Sequence, residues 1–320
     1  MQHFNYDHPS VRYTGRFGRS AGMAATACGS YFEVAFRGSY IVLFFDTDFM
    51  PDQHGHVYLE LDGGARFESD IQKYIRVDAR ADGEHTLKVI YKSNVEMNQR
   101  WYQPLTGKMD FTGYDAEDAG TLATDDRKTI EIVGDSITEG VLIDAFRNPF
   151  RNDQSNRPFQ DDVTATYGWL TAEALDLRPF MMGYGAVGNT HGGCGGVPKT
   201  ADAYPFNFNG SPVTYPSCDY IMINHGANDR GHSDYLPEYE GVLDLIRARN
   251  PESVIIVLSP FCGAFDDDLP GFIRDYNEKR GDSVKYISSH GWVPSDPLHP
   301  LRDGHAEIAK RLIPEMKKII

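Results

Sequence analysis

The chain has 320 residues, long enough for two domains, and an ordinary globular composition with 41% apolar and 24% charged residues. Its 31 basic and 46 acidic residues give a formal net charge of −15. That balance disfavours nucleic-acid and anionic-membrane binding, which rely on clustered cations.

No apolar run approaches the roughly 20 residues of a membrane span. Residues 1–8 lack both a basic region and an apolar stretch, so no secretory signal is visible. A cytoplasmic location is expected if Met1 is the native start, and a secreted one if a leader preceded it. The four cysteines, Cys28, Cys194, Cys218 and Cys262, are widely spaced with no Cys-x-x-Cys pair. This argues against a zinc or redox site and for small apolar fillers.

Residues 1–118 carry short alternating runs: Tyr31–Arg37, Tyr40–Phe45, 57–62, 74–77 and 85–91. Turn signals at 37–39, 62–64 and 82–84 separate them. Short strands at this spacing predict an antiparallel, jelly-roll-like sandwich without helices. Residues 111–126, rich in Gly, Asp, Ala and Thr, have the texture of a connection, and the linker is placed at 119–127.

From residue 128 to residue 320 the pattern changes. Apolar runs at 130–133, 180–183, 220–223 and 254–258 alternate with helical stretches at 166–175, 236–249, 269–280 and 304–318. Strand–helix alternation of this kind predicts an α/β doubly wound, mostly parallel sheet.

The chemistry sits in loops after the predicted strands. Gly134-Asp135-Ser136-Ile137-Thr138-Glu139-Gly140 follows the first apolar run, so Ser136 is presented at the carboxyl end of a strand, where ligands of open α/β sheets bind. Gly183 to Thr190 follows the second run and offers the Gly188 N–H. After the third, Gly226-Ala227-Asn228-Asp229 offers the Asn228 amide. Near the end, Asp296-Pro297-Leu298-His299 supplies an imidazole with a carboxylate three residues before it. Such a base is what a serine hydroxyl needs to become a nucleophile. His305 is the rival base, but it falls on the predicted last helix, for which Asp303 reads as the N-cap.

These four segments, in this order, resemble the SGNH (GDSL-type) hydrolases over about residues 128–320. The resemblance implies Ser136 as nucleophile, His299 as base and Asp296 as its orienter. It also implies an oxyanion hole built from the N–H groups of Ser136 and Gly188 and the amide of Asn228. Ile137 and Thr138 stand where the family's name has Leu. With the sandwich ahead of it, and with Tyr13-Thr14-Gly15-Arg16-Phe17 and Asp82-Gly83-Glu84-His85-Thr86-Leu87, the chain looks like the two-domain acetyl esterases of carbohydrate esterase family 2. That implies removal of O-acetyl groups from xylan- or mannan-type oligosaccharides, without metal or organic cofactor. Some members of that family use a Ser–His dyad, and Asp296 makes a triad available here.

On the substrate side, the polar, Pro-containing stretch 146–159 reads as a rim loop, with Arg147 and Phe150 as sugar contacts. Trp292 is a stacking candidate, and Asp135, His191 and His225 stand in the motif loops. Trp101, Tyr102 and Trp169 read as packing residues at a domain junction. The expected partner is an acetylated oligosaccharide, and homo-oligomerisation is left open. Two other readings are a lipid, short-chain acyl or thioester hydrolase, and a carbohydrate-binding protein with minor hydrolase activity.

Overall fold

Strict alternation of buried and less buried residues in Tyr40–Phe45 and Tyr74–Asp78 sets one face of each strand against an apolar interior. The computed structural model, which describes residues 1–145 and 157–320, pairs these and their neighbours into two six-stranded antiparallel sheets. One sheet runs through strands 18–19, 23–25, 109–116, 40–45 and 74–78, with Gln2–Asn5 paired to 109–116. The other runs through 118–119, 31–37, 84–93, 56–61 and 67–70, with Val11–Thr14 paired to 31–37. Phe32 from one sheet and Phe111 from the other stack at 4.2 Å between ring centroids, filling the space between the layers.

Two boundaries differ from the sequence expectation. Residues Met109–Ala116 form a central strand paired with Gln2–Asn5, Met23–Ala25 and Tyr40–Phe45. Its Gly113 and Asp residues resemble linker composition, yet Phe111 and Tyr114 are buried and the ladders on both sides fix it. The last helix is Arg302–Met316, with Leu301 at the cap position, so Asp303 lies in the first turn. A carboxylate there still meets the positive end of the helix dipole.

The second half holds a five-stranded, wholly parallel sheet in the order 178–183, 129–134, 220–224, 254–258, 285–287. The four apolar runs expected from sequence are four of these strands. Helices Tyr167–Ala174, Tyr235–Arg249, Leu269–Arg280 and Arg302–Met316 flank it. The chain order of the strands, 2-1-3-4-5, places the topological switch beside Thr129–Gly134. Register aligns Gly134 with Gly183 on one side and Asn224 on the other, which brings three motif loops to one end of the sheet.

The sandwich and the parallel sheet share a continuous core. A single apolar cluster joins Phe32, Val89 and Phe111 of the sandwich to Ile130, Ile132, Ile137 and Met181. Trp169, 1% exposed, meets Tyr31 edge-on at 6.1 Å, and Trp101 packs against Phe206. Tyr102, by contrast, is exposed.

Two buried ion pairs cross the same boundary. Arg16 of the sandwich donates to Glu131 on the nucleophile strand at 2.9 Å, and also to the Tyr204 and Phe206 carbonyls. Arg100 pairs with Glu139, three residues after Ser136, with side chains 0% and 3% exposed. Removing one partner strands a buried charge, which costs about 3–5 kcal/mol. Arg100→Met is therefore expected to lower unfolding free energy by about 3–5 kcal/mol in chemical denaturation. A loss below about 1 kcal/mol would show that Glu139 is satisfied without the sandwich.

Candidate active site

Ser136 opens the four-residue helix Ser136–Glu139 directly after strand Thr129–Gly134. The turn between them requires glycine, since a Cβ on Gly134 would stand 2.0 Å from Thr138 Oγ1. Asp135 caps the helix, accepting the Ile137 N–H at 2.9 Å. Gly140 closes it in the left-handed region at φ 83°. Thr138 Oγ1 and Tyr167 Oη lie 2.9 Å apart. The serine is thus held on a short rigid turn, with its side chain reaching the end of the sheet.

His299 meets it there. Ser136 Oγ and His299 Nε2 are 2.8 Å apart across 163 residues of sequence. Burial pushes the His299 pKa below its usual 6.5, the Glu96 carboxylate opposes that, and the Arg157 guanidinium adds to it. The imidazole is then neutral near pH 7, and the serine hydroxyl can donate to its free nitrogen. His305 is fully buried, with Nδ1 accepting the Tyr167 N–H at 3.1 Å. Burial drives its pKa down to about 3, so it serves as a neutral structural acceptor and stays out of proton transfer.

Asp296 stands apart from this pair. Its side chain is exposed, and among the described residues it makes no hydrogen bond or ion pair with His299. A spacing of three residues puts side chains on one face only in a helical turn. Residues 295–299 form irregular bends instead.

The expected oxyanion donors are gathered but engaged. The Gly188 N–H donates to the His191 carbonyl at 3.0 Å, closing the turn that follows it. The Asn228 amide donates to the Val187 carbonyl at 3.1 Å and to Asp135 Oδ2 at 3.2 Å. Asn228 is therefore beside the nucleophile turn, joined to the residue preceding Ser136. Burial pushes the Asp135 carboxyl up to about 7, the Ile137 N–H opposes this and the Asp229 charge reinforces it. Behind the loops, Asp229 accepts the Thr190 N–H and hydroxyl, both at 2.8 Å.

Several expected sugar contacts have structural work. Asp135 and His225 are each 1% exposed. Asp135 is a cap. His225 Nε2 lies 3.1 Å from Thr200 Oγ1, and burial lowers its pKa to about 4. His191 stacks on His232 at 5.2 Å between centroids. Trp292 is half-buried and packs against the apolar core. Arg147 and Phe150 lie outside the described residues. The sequence reading missed Arg16, Glu96, Arg100 and Arg157, whose partners lie far away along the chain.

All four cysteines are free thiols. With His299 held below 6.5, kcat/KM for a soluble acetyl ester should lose about tenfold per pH unit only below an acidic midpoint under pH 6.5. A midpoint at or above that value in a pH–rate profile would contradict the burial reading.

Residues 132–307 match the model of the GDSL-like Lipase/Acylhydrolase family. The chain is 25% identical over 260 residues to an acetylxylan esterase / glucomannan deacetylase of Cellvibrio japonicus (strain Ueda107), covering 74% of this chain and 68% of that protein. A family two carbohydrate esterase structure from Cellvibrio japonicus superposes with a TM-score of 0.81 at 19% identity, over 99% of this chain and 97% of that one. The acetyl xylan esterase Est2A from the rumen bacterium Butyrivibrio proteoclasticus superposes at 0.75 and 19% identity, over 99% of both chains. A strand-end serine in hydrogen-bond contact with a distant histidine, set within a family match that spans more than half the chain, makes this protein an esterase belonging to the GDSL-like lipase/acylhydrolase family.

Proposed function

We propose that the protein is a serine carbohydrate esterase that removes O-acetyl groups from xylan- or mannan-type oligosaccharides through an acetyl-serine intermediate. The observation that carries the chemistry is the 2.8 Å contact between Ser136 Oγ and His299 Nε2 at the topological switch of the sheet. The substrate class is supported by the relatives whose names specify xylan and glucomannan acetyl esters. An assembled nucleophile and base also favour chemistry over a binding role alone.

In this reading, neutral His299 takes the Ser136 hydroxyl proton as Oγ bonds to the ester carbonyl carbon. The carbonyl electron pair moves to oxygen. The Ser136 N–H receives that oxyanion, together with the Asn228 amide once the latter leaves Asp135 Oδ2. The Gly188 N–H joins only if its bond to the His191 carbonyl opens. The tetrahedral carbon then expels the sugar oxygen, which takes the proton from His299. Water repeats the cycle: His299 accepts its proton, the acyl–Oγ bond breaks, and acetate and Ser136 are restored.

The deciding assay is acetate release from acetylated xylo- and manno-oligosaccharides. Ser136→Ala should abolish release, by at least about a thousandfold, with an unchanged melting curve. Release by wild type that persists in the variant, or no release by folded wild type, would overturn the proposal. Asn228→Ala should lower kcat by about a hundredfold while leaving the protein folded. An unchanged kcat would remove Asn228 from the oxyanion hole.

A further inference from the structure

One side-chain amide gathers three motif loops. Half-buried Asn228 donates to the Val187 carbonyl at 3.1 Å and to Asp135 Oδ2 at 3.2 Å. Val187 immediately precedes Gly188, and Asp135 immediately precedes Ser136. The loop holding Gly188 has a further tie to the loop holding Asn228, because Asp229 Oδ1 accepts the Thr190 N–H and hydroxyl. The Ser136 turn depends on one bond. Among the described residues, only the bond from Asn228 to Asp135 joins residues 226–229 to residues 135–140.

Asp135 also differs from the other buried carboxylates that flank Ser136. Glu131 and Glu139 each face an arginine. Asp135 is equally buried, yet among the described residues it forms no ion pair. Its two oxygens face two N–H donors instead. Oδ1 accepts the Ile137 N–H at 2.9 Å, and Oδ2 accepts the Asn228 amide. Capping uses only Oδ1, and serine caps a helix about as well as aspartate. A buried carboxyl without a cation is costly to keep. The cap accounts for one of its oxygens, and Asn228 accounts for the other.

We propose that Asp135 is the positioning residue of the oxyanion hole: Oδ1 fixes the turn that presents the Ser136 N–H, and Oδ2 holds the Asn228 amide beside that turn. This inference rests on the esterase reading of Ser136 and on Asn228 as an oxyanion donor. Sheet register brings the two loops to one edge, but it does not set the direction of a side-chain amide. Held by the Val187 carbonyl alone, the amide could pivot about that bond. The second acceptor stops the pivot before substrate arrives, which is the preorganisation that an oxyanion hole needs. At 3.2 Å the bond to Oδ2 is at the long end of the N–H···O range, so it is the bond given up most easily. Its N–H passes to the developing oxyanion while the Val187 carbonyl keeps the other hydrogen. When the tetrahedral carbon collapses, the amide returns to Oδ2.

The test is a double-variant cycle, read as kcat and KM on p-nitrophenyl acetate, which requires no glycan contact. Asp135→Ser keeps an oxygen for the Ile137 N–H but is too short to reach Asn228. Asp135→Asn keeps the size of the side chain, but its amide cannot accept from both donors at once. Each variant should lower kcat by about tenfold or more, with KM within about twofold of wild type, because a donor moved by a fraction of its contact distance serves the transition state poorly. In the Asn228→Ala background, either change should cost less than about a further twofold, since the donor it positions is already gone. A defect of the helix cap alone would instead lower the melting temperature and multiply with the Asn228→Ala loss.

Asp135 variants with wild-type kcat would overturn the proposal. A raised kcat would do so too, by showing that Asp135 merely competes for the amide. Losses that multiply with that of Asn228→Ala would reduce Asp135 to a cap. If Asp135→Ser fails to fold, the isosteric Asp135→Asn decides by the same criteria. An unchanged kcat in Asn228→Ala alone would sink the oxyanion reading and this proposal together. A loss of about a hundredfold there, beside fully active Asp135 variants, would sink this proposal only.

Discussion

Two buried carboxylates bracket Ser136, and the other half of the chain supplies a cation to each. Glu131 sits on the strand leading to Ser136 and is fully buried, and Glu139 sits three residues beyond it. A buried charge is tolerable only when paired and hydrogen-bonded. Arg16 and Arg100, both from the sandwich, supply that pairing, and Arg249 of the second half also approaches Glu131, at 3.6 Å. The turn carrying Ser136 is therefore pinned at both ends by residues more than 30 positions away, two of them from the sandwich.

The same principle, applied to neutral groups, sets the chemistry of the site. Burial holds His225, His299 and His305 below the usual histidine range, so all three are uncharged near pH 7. Of the three, His299 alone has a ring nitrogen on the Ser136 hydroxyl. The other two each have one ring nitrogen engaged, His225 Nε2 with the Thr200 hydroxyl and His305 Nδ1 with the Tyr167 N–H. Three similar imidazoles thus have different roles because of what each one faces. The Asp135 carboxyl, raised to about 7 by burial, accepts the Asn228 amide and so joins the Ser136 turn to the loop at 226–229.

Much of the fold was legible in the chain because it rests on local periodicity. The alternating runs became sandwich strands, and the four apolar runs became parallel strands whose register delivers the motif loops to one edge. Strand Met109–Ala116 was hidden, since its glycine and aspartates mimic a connection and only its three partner strands define it. Short strands such as Gln2–Asn5 carried too little alternation to register. Ser136 and His299 were legible because each belongs to a short motif with its own turn chemistry.

The sequence by itself determined the two textures of the chain, the order of the four motif loops, and the serine and histidine that meet. These follow from residue periodicity and from glycine positions that a backbone turn demands, both of which are local. The tertiary structure alone decided that Asp296 stays exposed, that the Gly188 N–H is engaged, and which arginines pair with Glu131 and Glu139. Those outcomes depend on side chains brought within a few ångströms from distant segments, and on burial that exists only once the two halves have packed. Spacing along the chain therefore suggested Asp296 as the partner of His299, whereas packing left it exposed.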